Sequence, residues 1–486
     1  RPRFALMLLL ALGIAATTSA QDRAGQATWP PAIPGADDHG GVRLTGDGFL
    51  QTPEDLTEAR DALEGAFEFT VAADSPTVEL VYHGQLPHPG VGPGNGTGWT
   101  SWGDICVASD GSVYVAIGDH GTDMAKEGED ADASVFVYRW SPSRHVLERI
   151  CDPNAVVNAG PDDPNWSKIH AGIHEADDGR IYFVPTFNSG QRAPQARWTD
   201  HVPAAQIFQY DPASGETQVV GLLPPDSATA TSELDRERHM LYLNLEGAHD
   251  DALFAFDLRT MQPTFQGPDG MIGANRNMAL GNDGAIYYNA AEGHIGRFDP
   301  DTQTLSDTGI TLPGGRAIRS STRQASDGWI YATTYGGEHG RNGQLIRFHP
   351  GQQKLEMLGP DFLRIGRNGE PAPGNYTTVT ILSPDERFVY YLPGAHGGAV
   401  RIGTPVVQYE IATGTRKVLA FLRPVMEREA EYVPGGTYGA KLSADGSTLY
   451  VNLNGHAIEE NRLERMKPNG FGLTAFVAIH IPPSER

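Results

Sequence analysis

Counting six to eight residues past each copy of a recurring tyrosine reaches His120, Asn188, His249, His294, His339, His396 and His456. Six of these seven are His, in a chain that holds only 16. Imidazole titrates near neutrality, so it can take up a proton, give one back or bind a metal. A second set of chemistry-bearing residues falls in short segments, each just ahead of a strand or at its start. It comprises Trp99 and Trp102; Trp166, Lys168, His170 and His174; Asn275, Arg276 and Asn277; Arg316 and Arg319; Asn375 and Tyr376; and Tyr438 with Lys441. Carboxylates stand close by in sequence at Asp119, Glu246, Glu292 and Glu338.

Three chemistries suit such a collection. Elimination next to a carboxylate needs a base, a cation to neutralise the carboxylate, and an acid for the departing oxygen. His, Arg and Tyr or His supply these. A divalent metal site could use imidazoles and carboxylates, with Glu338, His339 and His396 as ligands, although no tight metal motif such as HExxH occurs. Glycoside hydrolysis wants two carboxylates at a set separation, for which Glu246, Glu292 and Glu338 are available. There is no GxSxG elbow and no GxxxxGK[ST] phosphate loop. For any one of these histidines the plain alternative is a bond to neighbouring backbone. The recurring tyrosines, placed mid-strand, read as packing residues rather than ligands.

The elements that must position these groups follow from a repeat. An Asp-Gly or similar turn leads into a strand carrying Tyr114, Tyr182, Tyr242, Tyr287, Tyr331, Tyr390 and Tyr450 in turn. Asp-Gly suits a tight hairpin because Gly accepts positive φ. A third strand follows in each unit, such as Val135–Tyr138 or Gln344–Phe348, and often ends in Asp-Pro or His-Pro before a fourth. Four strands per unit is the β-propeller blade, and seven units predict an all-β, seven-bladed propeller. The seventh unit lacks a fourth strand, so the unmatched segment Val78–Tyr82 is expected to complete it and close the ring. Closure removes an exposed edge. In this arrangement the histidine turns and the pre-strand segments share one mouth of the central channel. Ile458–Met466 has helical composition and is expected to stand beside that mouth as a wall or lid.

Residues 1–20 read as a secretory signal: basic Arg1 and Arg3, an apolar run, then small residues before Gln21. A secreted or periplasmic location is therefore expected. Residues 21–75 read as a linker and a short helix, with Thr52 as cap and Pro53 at the first position, and residues 76–486 as the propeller. Cys106 and Cys151 are either a disulfide or two buried thiols. The formal net charge of −23 repels nucleic acid and anionic lipid. No later segment is apolar enough to span a membrane, and a monomer is expected. An anionic ligand needs a local cluster of cations.

The segment Lys168–Phe183 (KIHAGIHEADDGRIYF), with the signal and the seven units, resembles the secreted propeller polysaccharide lyases: ulvan lyases and, more distantly, oligogalacturonate lyase. The resemblance implies β-elimination on a uronate-containing, sulfated or unsulfated polysaccharide. It implies His and Tyr as proton-transfer groups and Arg against the uronate. His170 matches a motif-like position, and His120 matches by its place in the first blade. The remaining substrate-binding candidates are Lys168, Asn188, His249, Arg276, Arg316, Arg319, His339, Tyr376, His396, Tyr438 and Lys441. No cofactor is called for with certainty; a divalent metal ion stays open. Ala108–Asp119 also resembles the blade motif of quinoprotein sugar dehydrogenases, and a non-catalytic glycan- or protein-binding propeller is the third class.

Overall fold

The computed structural model describes residues 41–63, 67–82, 100–103, 105–118, 135–157, 166–186, 204–225, 227–247, 251–274, 276–336, 342–366, 368–458 and 473–486. The signal-like segment, most of Ile458–Met466, and His120, Asn188, His249 and His339 lie outside these residues.

Seven sheets form the blades of a β-propeller, with strands here lettered a to d from the axis outward. Blade 1 runs from Cys106–Val107 to Val146–Cys151, blade 2 from His174–Glu175 to Glu216–Leu222, and blade 3 from Ser227–Asp235 to Gln262–Gln266. Blade 4 runs from Met278–Leu280 to Thr304–Thr311, blade 5 from Ala317–Ser321 to Lys354–Pro360, and blade 6 from Thr377–Leu382 to Arg416–Phe421. Strands a to c of blade 7 are Tyr432–Leu442, Thr448–Ala457 and Leu473–His480. Its strand d is Thr77–Tyr82, antiparallel to strand c, with Val78 opposite Ile479 and Leu80 opposite Val477. Val78 and Leu80 are fully buried, so the alternation of this strand drives its apolar face into the blade.

The a–b turns explain the repeat. At Asp110-Gly111, Gly111 has φ 85° and Asp110 accepts from Ser112 N at 2.8 Å. The side chain thus shapes the bend that glycine permits. The seven repeat tyrosines all lie on strand b and none is more than 6 % exposed. They are packing residues.

The segment read as linker carries structure of its own. Gly41–Leu44 adds a fifth strand outside Thr77–Tyr82, and Thr70–Val71 pairs parallel with strand d of blade 6. Helix α1 (Glu54–Ala62) starts after Pro53, which is itself the cap residue and forms no side-chain cap bond. α1 buries Leu56 against Phe362 and Leu363 between blades 5 and 6. Cys106 and Cys151 are buried free thiols. Among the described residues no helix is long and apolar enough to cross a membrane.

The channel-facing a strands are irregular. Register slips past Ala230 and Thr231 in blade 3, Arg319 in blade 5, Thr378 and Val379 in blade 6, and Tyr438 in blade 7. In blade 2 the inner run breaks between Lys168–Ile169 and His174–Glu175, leaving His170 outside the ladder. A bulge frees backbone groups and re-aims a side chain.

Candidate active site

These bulges deliver side chains to one end of a central cavity of about 600 Å³, lined there by Trp102, His170, Arg276, Arg319, Tyr438 and Lys441. Trp102 stacks on His170 at 5.8 Å and lies 4.7 Å from Tyr438 and 5.6 Å from His396, centroid to centroid. His396 stacks on Tyr376 at 5.4 Å and meets Tyr438 edge-on at 5.2 Å. It reaches this position with φ 58°, a left-handed conformation uncommon for a residue with a side chain. Lys168 Nζ lies 5.5 Å over the Trp102 ring.

Arg319 is 7 % exposed. Its Nε donates to the Tyr376 hydroxyl at 2.7 Å and one terminal nitrogen donates to the Arg276 carbonyl at 3.4 Å. The guanidinium also lies 5.4 Å from the Tyr376 ring and 5.7 Å from that of Tyr438. Among the described residues no carboxylate comes within ion-pair distance of it. Burial works against its charge, but the surrounding tyrosines outweigh this and hold its pKa above the usual value. A buried cation without a counter-ion is costly unless something anionic completes it.

His170 is half-buried, and its Nδ1 lies 2.8 Å from the Ala230 carbonyl, a group on the blade 3 bulge. A carbonyl only accepts, so Nδ1 carries the proton and Nε2 keeps its lone pair. Nε2 bonds to no described residue. Burial first, then the charges of Arg276, Lys168 and Arg319, push the imidazole well below its ordinary pKa. His170 is thus a neutral acceptor beside cations.

Buried amides fix this geometry from neighbouring blades. Asn454 of blade 7 accepts from Ser101 N at 2.7 Å and donates to Ser101 O at 2.9 Å, holding the residue before Trp102. Asn289 of blade 4 accepts from Ile318 N at 2.8 Å and donates to Ile318 O at 2.9 Å, holding the residue before Arg319.

The other sequence candidates divide. Arg276 is paired with Glu246 at 2.9 Å. Arg316 is buried and donates to the Asn342 carbonyl at 2.5 Å, with burial lowering its pKa; it is not on the cavity wall. Lys441 lines the cavity, and burial first, then the Lys441 charge, hold His174 at a pKa of about 3, with His174 Nε2 2.8 Å from Ser232 Oγ. His294 leaves the set and pairs with Asp307 on strand d of its own blade at 2.8 Å. His456 lies within strand b of blade 7, opposite Val433. Glu292 is exposed.

No family model and no curated protein matches the sequence. The chain is similar to solved propellers. One is the WD40 repeats of RRP9: TM-score 0.50, 10% identity, 85% of this chain and 99% of that chain covered. Another is oligogalacturonate lyase in complex with manganese: TM-score 0.50, 11% identity, 86% of this chain and 96% of that chain covered. At such identities the likeness is one of fold.

Trp102, in the sequence either a sugar-stacking platform or a plug between blades, is at the centre of the cluster. One member escaped the sequence reading. Tyr335, half-buried and 6.0 Å from the Tyr376 ring, sits four residues past the repeat tyrosine of blade 5, and nothing in its local pattern marks it. Among the described residues no three His, Cys, Asp or Glu side chains are grouped to hold a metal ion; Glu338 and His339 lie outside those residues. The cluster offers a neutral imidazole acceptor, a buried guanidinium and a phenol bonded to it.

Proposed function

We propose that this cluster catalyses β-elimination on a uronate-containing polysaccharide. The observation that carries the reading is Arg319, a buried guanidinium held by Tyr376 with no described carboxylate beside it, in a protein of strongly negative net charge. A uronate carboxylate supplies the missing anion, and its neutralisation acidifies the hydrogen on the adjacent carbon. His170 Nε2 takes that proton. The C–H electron pair forms the ring double bond, the neighbouring glycosidic C–O bond breaks, and the departing oxygen receives the Tyr376 phenolic proton. Trp102 offers an apolar face to the sugar ring. On this reading the protein works outside the cytosol, in keeping with its signal-like first twenty residues.

The test is incubation with ulvan, pectate, alginate and glycosaminoglycans, following the ultraviolet absorbance of an unsaturated uronate. His170→Ala should lower the rate roughly a hundredfold to ten-thousandfold. Arg319→Lys keeps the charge but loses the planar fork and the Nε bond, and should cost roughly a hundredfold or more in kcat. Absence of product from every polymer, or full activity in His170→Ala, would sink the proposal. Binding without product would leave a glycan-binding propeller.

A further inference from the structure

Asp361 is fully buried where the chain leaves blade 5 for the hairpin Leu363–Ile365/Pro371–Pro373. One carboxylate oxygen accepts from Asn375 N at 2.6 Å and Phe362 N at 2.8 Å, and the other accepts from Thr377 Oγ1 at 2.6 Å. Asn375 passes the grip on: its side-chain oxygen accepts from Tyr376 N at 2.8 Å and its amide donates to Leu363 O at 2.9 Å. The carboxylate therefore holds the residues on both sides of Tyr376. Gly343 closes over the assembly, since a Cβ there would overlap the Asn375 carbonyl and the Asp361 carboxylate.

Among the described residues no cation pairs with it directly. Arg416, whose charge acts on Asp361 from strand d of blade 6, donates to Leu358 O, and Arg316 of blade 5 donates to Asn342 O. Tyr391 of strand b donates to the Asp361 carbonyl at 2.8 Å, and burial keeps that phenol protonated. Hydrogen bonds, rather than an ion pair, hold this buried charge.

We propose that Asp361 is a positioning residue whose ionised carboxylate holds Tyr376 against Arg319, and that its protonation releases the tyrosine and turns the site down. Burial raises its pKa to about 6, against the opposing effect of its three donors. Ionisation, and with it the clamp, is complete above that value and lost as pH falls through it. His170 is displaced in the opposite direction, well below its ordinary value; the imidazole of His396 stacks on Tyr376, so it is the loss of the limb in Asp361→Asn, not its midpoint, that assigns it to Asp361.

The activity arm of the test rests on the elimination reading; a spectroscopic arm does not. Wild-type activity should fall as pH drops through about 6. Asp361→Asn should be roughly tenfold to a hundredfold less active above that pH, as expected for a lost charge-assisted hydrogen bond, and flat through it. Thr377→Val removes one donor to the ionised form and should move the loss to higher pH. In parallel, carbon-13 NMR of ring-labelled tyrosine, with Tyr376 assigned through Tyr376→Phe, should show Tyr376 titrating near pH 6 in wild type and not in Asp361→Asn. Titration at Tyr376 in a protein with no lyase product would uphold the clamp and discard the reaction. A Tyr376 signal constant through pH 6, or an unchanged limb in both variants, would overturn the clamp.

Discussion

Asp361 and Arg319 are both charges kept in the interior, and each has a consequence for stability. The folded pKa of Asp361, about 6, lies above the unfolded carboxylate value near 3.9. Folding therefore costs more wherever the group is ionised, by up to about 3 kcal/mol above pH 7, and the penalty fades to nothing near pH 4. Asp361→Asn should accordingly be at least as stable as wild type at pH 8 in urea titrations, with the difference shrinking toward pH 4. A variant less active but no less stable is the signature of a group retained for geometry. None of this was legible in the sequence. Gly-Pro-Asp at 359–361 reads as an ordinary turn, and burial, not residue type, makes Asp361 unusual. The arginines teach the same lesson. Arg276, Arg316 and Arg319 were equivalent as pre-strand cations, but Glu246 occupies the first and the Asn342 carbonyl the second. Only spatial neighbours distinguish the third.

At the scale of the strand, alternation and hairpin chemistry carried the reading. Asp-Gly turns and one tyrosine per strand b placed seven blades, and an unmatched strand ahead of them located the closure. What could not be read was the break in alternation at the inner edge, because a bulge inserts a residue without leaving a mark in composition. Breaks and bulges of this kind place His170, Arg319 and Tyr438, and a cross-blade amide holds the residue before Arg319. Asn289→Ala leaves the N–H and C=O of Ile318 unmet in a buried setting. It should destabilise the protein by about 2–6 kcal/mol, at about 1–3 for each unsatisfied group. The check is chemical denaturation. The same variant should weaken Arg319-dependent activity beyond what Asn244→Ala does, since the Asn244 amide donates to Leu245 O within its own strand.

Across the whole molecule, the charge of −23 and the cation-lined end of the cavity act on a polyanion with opposite signs at different distances. Beyond roughly 10 Å in dilute salt the net charge dominates and repels; within the cavity, buried cations are little screened. Raising ionic strength from about 0.01 to 0.15 M should therefore increase kcat/KM on an anionic polymer, where a basic protein would lose it. Initial rates at low substrate across a salt series would decide.

The closing strand has a temporal consequence as well. Glu79 on Thr77–Tyr82 bonds His480 at 3.1 Å and His145 at 2.8 Å, and the first of these partners lies 401 residues away along the chain. At ribosomal rates of roughly 5–20 residues per second, the partner emerges roughly 20–80 s after the strand itself. For that interval Gly41–Leu44 can cover one edge of the segment, but its other edge, with apolar Val78, Leu80 and Val81, lacks Leu473–His480. A carboxylate in its middle discourages pairing with other nascent chains, and the two imidazoles that bond it arrive with the first blade and with the last. The ring thus carries a latch whose last contact, Glu79 with His480, forms only when the final strand arrives.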